Sequence, residues 1–230
     1  MLIPFKEKEK QWENLMQLLG KKIMKPFKEA IFYQVWPRSF FDTNHDGIGD
    51  LQGIIKKLDY IKSLNVDYIW ISPFYKSPQD DYGYDVSDYY NIQSEYGTMD
   101  DFKQLVSSAK DKEIGIICDL VANHTSTYHP WFQEALNNPL SDKKDYYFFR
   151  PRREGYPNNW ISVFGGSAWT AVNDQEFVLT LFTPTQADLN WDNPKVREEI
   201  QNIMSYWLDL GIAGFRLDVF NTISKIEGLV

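Results

Sequence analysis

Cysteine is almost missing from this 230-residue sequence: Cys118 stands alone, so no intrachain disulfide can form and a disulfide scaffold is excluded. A single thiol fits a reducing compartment. No apolar stretch approaches the roughly 20 residues needed to span a bilayer. The first thirty residues are interrupted throughout by Lys and Glu, which argues against a signal peptide and for a cytoplasmic protein. Positive charge is also in deficit, with 24 Lys and Arg against 32 Asp and Glu, a formal net charge of −8. Such a chain has no electrostatic footprint for nucleic acid or for an anionic membrane. Internal repeats and low-complexity tracts are lacking as well.

Apolar residues make up 43% of the chain and aromatic ones 16%, enough for a real core, which excludes intrinsic disorder. Most of the 8 Trp, 14 Tyr and 15 Phe are expected to fill that core. The sharper reading is a set of flat platforms for sugar rings.

Four runs rich in β-branched and aromatic residues read as strands buried on both faces: Ala30–Trp36, Asp67–Ser72, Ile114–Leu120 and Ala213–Val219. Helical spacing precedes the last three. Ile54, Leu58, Ile61 and Leu64 lead into the second, and Phe102, Leu105, Val106 and Ala109 into the third. Val196, Ile200, Ile203, Met204, Trp207 and Leu208 lead into the fourth. Thr98 and Asn193-Pro194 supply helix starts. Alternating strands and helices predict βαβ units around a parallel sheet. From Thr125 to about Pro184 the rhythm breaks into an Asn-, Gly- and aromatic-rich excursion with one strand-like run, Glu176–Phe182. Gln11–Leu19 could form one amphipathic helix ahead of the fold.

Three motifs carry chemistry. Asp42–Asp50 places oxygen ligands at alternate positions with Gly47 to turn the chain, as a hard divalent cation requires. Gly53 stands where an EF-hand needs its bidentate Glu, so this is not an EF-hand, and a metal-free Asx-rich turn is the competing reading. Asp119, with Asn123 and His124 beyond it, lies at the C-terminal end of the third run, where parallel α/β folds build their sites. Asp119 would be costly to bury alone and should meet a cation. Arg216 and Asp218 are two apart on the fourth run and share one face of it. An arginine keeps such a carboxylate ionised, as a nucleophile requires, although a structural ion pair has the same spacing.

In this order on successive β/α units, the motifs resemble the α-amylase family, glycoside hydrolase family 13, from about Glu29 onward. Phe32–Phe40 is similar to its first-strand segment, Asp119–His124 to its first conserved region and Gly214–Asp218 to its second. Gln186-Ala187-Asp188-Leu189-Asn190 resembles the signature of the oligo-1,6-glucosidase branch, with Ala187 where that branch usually has proline.

The resemblance implies an α/β fold, the N-terminal half of a (β/α)8 TIM barrel with an inserted domain after the third strand. Residues 1–28 would be an extension, 29–124 the first part of the barrel, 125–187 the inserted domain and 188–230 the continuation. It further implies Asp218 as nucleophile and Arg216 as its charge partner. Asp81, Tyr84, Asp119, His124 and Gln186 would bind substrate, with His124 on the nonreducing glucose. Calcium would be held by Asp42, Asn44, Asp46, Asp50 and the carbonyl of Ile48. Val219, after the nucleophile, would point to the opposite strand face, and valine there accompanies α-1,6 cleavage in the family.

The implied activity is that of a retaining, exo-acting α-glucosidase on short α-1,6-linked oligosaccharides, working as a monomer. An α-1,4-glucosidase, a trehalose-phosphate hydrolase and a sucrose isomerase remain open, with a non-catalytic relative further off because Arg216 and Asp218 are both present. The family's general acid sits on a fifth strand, past Val230. Glu227 has no family match, so the chain is expected to be part of a longer enzyme and inactive alone.

Overall fold

The computed structural model describes residues 25–225; the helix expected at 11–19 and Glu227 lie outside them. Strands β1 (Phe32–Val35), β2 (Tyr68–Ile71), β3 (Gly115–Val121) and β4 (Gly214–Asp218) form one parallel sheet in the order β1-β2-β3-β4. Helices α1 (Leu51–Lys56) and α2 (Leu58–Ser63) lead to β2. Helix α3 (Met99–Asp111) leads to β3 and α4 (Pro194–Asp209) to β4. Spatial order follows chain order and never reverses, so this is an arc of a (β/α)8 barrel and not a doubly wound sheet with a switch point.

Burial follows position in the arc. All seven residues of β3 are buried. At the outer strands Phe32 is 44% and Leu217 49% exposed. The expectation of two covered faces therefore holds in the middle of the arc and fails at its edges, where among the described residues a neighbouring strand stands on one side only.

The helix starts follow from their caps. Thr98 and Asp101 form a reciprocal capping box on α3, whose Phe102, Leu105, Val106 and Ala109 are buried. Asn193 caps α4 ahead of Pro194, and Val196, Ile200, Ile203 and Trp207 are buried. Leu208, expected on that face, is exposed. The helix expected through Ile54, Leu58, Ile61 and Leu64 is broken at Lys57 (φ −101°, ψ 3°). The first three of those residues stay fully buried. Leu64 is turned outward where the chain passes Asn65, whose φ is 58°, on its way to β2.

Beyond β3, His124–Ser126 pairs antiparallel with Gln186–Asp188. This narrow neck brings both ends of the excursion to the exit of β3. Between them Glu176–Leu179 is the central strand of a three-stranded antiparallel sheet, flanked by Phe149–Pro151 and Trp169–Ala171. Ala168, Trp169, Phe177 and Leu179 give that sheet a small core of its own. The strand expected to run to Phe182 stops at Leu179. Past it, the Leu181 amide donates to Asp188 Oδ2 instead (2.7 Å). Among the described residues no helix is long and apolar enough to cross a membrane.

Candidate active site

The parallel register sets Arg216 of β4 directly beside Asp119 of β3. Arg216 Nη1 lies 3.1 and 3.2 Å from the two oxygens of Asp119 and also donates to Asp218 Oδ1. One guanidinium nitrogen thus faces two carboxylates, and the guanidinium carbon sits 4.9 Å from the centre of the Trp70 ring. Trp70 Nε1 (3.0 Å) and the Tyr84 hydroxyl (3.3 Å) complete the donors around Asp119. Asp119 is fully buried. Burial raises its pKa to about 6, against the opposing pull of Arg216. Burial works against the charge of Arg216 too, but Asp119 and Asp218 outweigh it and the pKa rises. Tyr84 is pushed upward by burial and then by Asp119, which keeps its hydroxyl a donor.

His124 is buried at the neck, with Nδ1 3.1 Å from Asn123 Nδ2 and Nε2 3.2 Å from the Tyr84 carbonyl. Burial lowers its pKa, so the ring is neutral, accepting at Nδ1 and donating from Nε2. Neither nitrogen is left unshared, so a sugar hydroxyl would have to share Nε2 with Tyr84. Across the neck Gln186 Nε2 donates to Asp81 Oδ2 (2.9 Å). Burial raises the pKa of Asp81, with the Gln186 amide opposing it. Asp81, Tyr84, Asp119, His124, Gln186, Arg216 and Asp218 are thereby linked around the C-terminal ends of the strands.

Val219 departs from expectation. The strand ends at Asp218, and Val219 has φ 35° and ψ 34°, opening a 3₁₀ turn over Phe220–Thr222. Strand alternation therefore does not set its side chain, because a left-handed residue leaves the pleat.

Trp70 and Lys225 carried no individual signal in the sequence, and Asp188 only its place in the Gln186–Asn190 segment. Trp70 read only as part of an apolar run. Asp188 and Lys225 form a buried ion pair at 2.9 Å, with Lys225 Nζ also 2.9 Å from Asn123 Oδ1. Asn123 Nδ2 donates in turn to Asp188 Oδ1 (2.9 Å). This network ties β3, the neck and the segment after β4 together. A helix of known register could have placed Lys225; a partner 37 residues away in an irregular segment could not be found by spacing.

In the Asp42–Asp50 loop the oxygens turn toward backbone donors. Asp42 accepts from the amides of Asn44, His45 and Gly47, and Asp46 from Ile48. Asp50 accepts from Thr43 and caps α1 through Gly53 (2.6 Å). The Gly47 amide leads the effects that lower the Asp42 pKa. A Cβ at Gly53 would lie 2.0 Å from the Phe41 carbonyl oxygen, so only glycine fits there. No three Asp, Glu, His or Cys side chains among the described residues gather as a metal cluster. Asp42 Oδ2, Asn44 Oδ1 and Asp46 Oδ1 each accept from a single amide and keep a lone pair, so with the Ile48 carbonyl they would suit a hard cation.

The profile of the alpha amylase catalytic domain matches residues 34–230. The chain belongs to the alpha-amylase family. It is 53% identical over 205 residues to an oligo-1,6-glucosidase of Parageobacillus thermoglucosidasius, covering 88% of this chain and 36% of that protein. A trehalose-6-phosphate hydrolase of Bacillus subtilis is 52% identical over 202 residues, covering 86% and 36%. The crystal structure of an isomaltulose synthase from a Klebsiella species superposes with a TM-score of 0.86 at 50% identity, over 90% of this chain and 38% of that one. The chain thus spans little more than a third of the length of these alpha-amylase-family relatives, and within that third the likeness extends to the arc and the excursion alike.

Proposed function

We propose that this chain carries the nucleophile side of a retaining, exo-acting α-glucosidase that cleaves α-1,6 bonds of short oligosaccharides. One observation carries the reading: Arg216 joins the carboxylates of Asp119 and Asp218 at the exits of adjacent strands. In such chemistry one carboxylate attacks the anomeric carbon, while an acid about 5–5.5 Å away protonates the leaving oxygen. Asp218 is the nucleophile here, paired with the Arg216 guanidinium. Asp119, Asp81, Tyr84, His124 and Gln186 hold the nonreducing glucose, the last of them from the excursion. The relatives at similar identity include a trehalose-6-phosphate hydrolase and an isomaltulose synthase, so they support the glucosidase class more firmly than the linkage.

The test uses 5-fluoro-α-glucosyl fluoride, whose leaving group needs no proton. The chain should acquire a fluoroglucosyl mass adduct that maps to the peptide containing Asp218 and is absent from Asp218→Asn. An adduct on another carboxylate, or none with the parent chain, would reject the assignment.

A further inference from the structure

The loop after β2 makes a tight turn over Asp81–Tyr84, closed by the Tyr84 amide on the Asp81 carbonyl (3.0 Å). Both central residues have positive φ, 50° at Tyr82 and 105° at Gly83. Turns of that class take Gly, Asn or Asp at the first central position, because a larger side chain crowds the left-handed backbone. Gly83 meets its requirement: a Cβ there would lie 2.8 Å from the Pro73 carbonyl oxygen. Tyr82 does not, and burial does not offset the strain, since it remains 58% exposed.

Its ring meets Trp36 edge-on, with centroids 5.7 Å apart and planes at 88°. Trp36 is the first residue past β1, so the pair stands on the strand ends that also carry Asp119 and Asp218. Its neighbours in the turn are already engaged, Asp81 with Gln186 and Tyr84 with Asp119. A strained, exposed aromatic is thus placed at the rim of the site, on a half-buried tryptophan that fixes its ring. Backbone strain of this kind gathers where a side chain must be presented.

We propose that Tyr82, braced by Trp36, stacks against the second sugar of the substrate, the one released on cleavage. The C–H face of a pyranose matches an aromatic face, while the first glucose is gripped by Asp81, Tyr84 and their partners. This inference rests on the glucosidase reading and adds a residue that selects for a disaccharide over free glucose.

The experiment titrates the chain with isomaltose and with glucose by saturation-transfer NMR, and melts each variant. Tyr82→Asn installs a residue suited to the turn. It should weaken isomaltose binding by about two- to tenfold, leave glucose binding unchanged, and melt no lower than the parent. Tyr82→Phe should retain parental isomaltose binding, because stacking does not use the hydroxyl. Unchanged isomaltose affinity in Tyr82→Asn, or an equal loss for both sugars, overturns the rim and leaves the glucosidase reading standing. A parent chain that binds neither sugar overturns both.

Discussion

Gln186 and Asp81 are 105 residues apart in the chain and 2.9 Å apart in the fold. The bond closes the excursion onto the loop after β2, and its amide holds down a carboxyl that burial pushes up. Replacing Gln186 by Ala should raise the Asp81 titration midpoint further, read by carbon-detected NMR of the carboxyl. It should also cost about 1 kcal/mol of stability in urea. A midpoint that falls would show that the amide does not act on the anion.

Asp119 has a folded pKa of about 6 against 3.8 for the free side chain. The folded value is the higher one, so proton uptake favours the fold. That contribution is complete below about pH 3.8 and is lost as pH rises through about 6. Between pH 4 and 7 the parent should lose stability relative to Asp119→Asn, by an amount of the order of 3 kcal/mol. Parallel stability curves for the two proteins would contradict this.

The Lys225–Asp188 pair is buried on both sides. Removing one partner strands the other charge, so Lys225→Met should destabilise by about 3–5 kcal/mol. Adding Asp188→Asn to that variant should recover part of the loss, because no unpaired charge then remains. Denaturant titration of both variants measures the recovery, and strict additivity would contradict the pairing.

Val219 is β-branched in the left-handed region. Glycine adopts that backbone freely and alanine does not. Val219→Gly should therefore be more stable than Val219→Ala by about 1 kcal/mol. The reverse order would return Val219 to the strand.

Calcium is expected to settle in the Asp42–Asp50 loop and stabilise the folded state by mass action. The melting temperature should rise with added calcium and fall with a chelator, and Asp46→Ala should abolish the difference. An indifferent parent would leave the loop as a turn satisfied by its own amides.

Much of this was legible beforehand because it is local. Near-continuous apolarity marks β2 and β3, and three- and four-residue spacing with Thr98 and Asn193 marks α3 and α4. The Arg216-x-Asp218 spacing already put both side chains on one strand face. What lay out of reach was non-local or depended on backbone torsions. The break at Lys57 preserves the apolar stripe and so leaves no mark on it. Val219 leaves the strand although β-branched residues favour strands.

Periodicity and alternation act over a few residues, so the order of β/α units and the residue types at each strand end are written locally along the chain. Which of those residues share a proton or a charge depends on contacts between segments far apart in the chain. Parallel register brought Arg216 to Asp119, and the antiparallel neck brought Gln186 to Asp81. The packing of three distant segments buried Lys225 against Asp188 and Asn123. Those contacts depend on desolvation and on distances of about 3 Å between segments far apart in the chain, which hydrogen bonding demands and spacing along the chain does not encode.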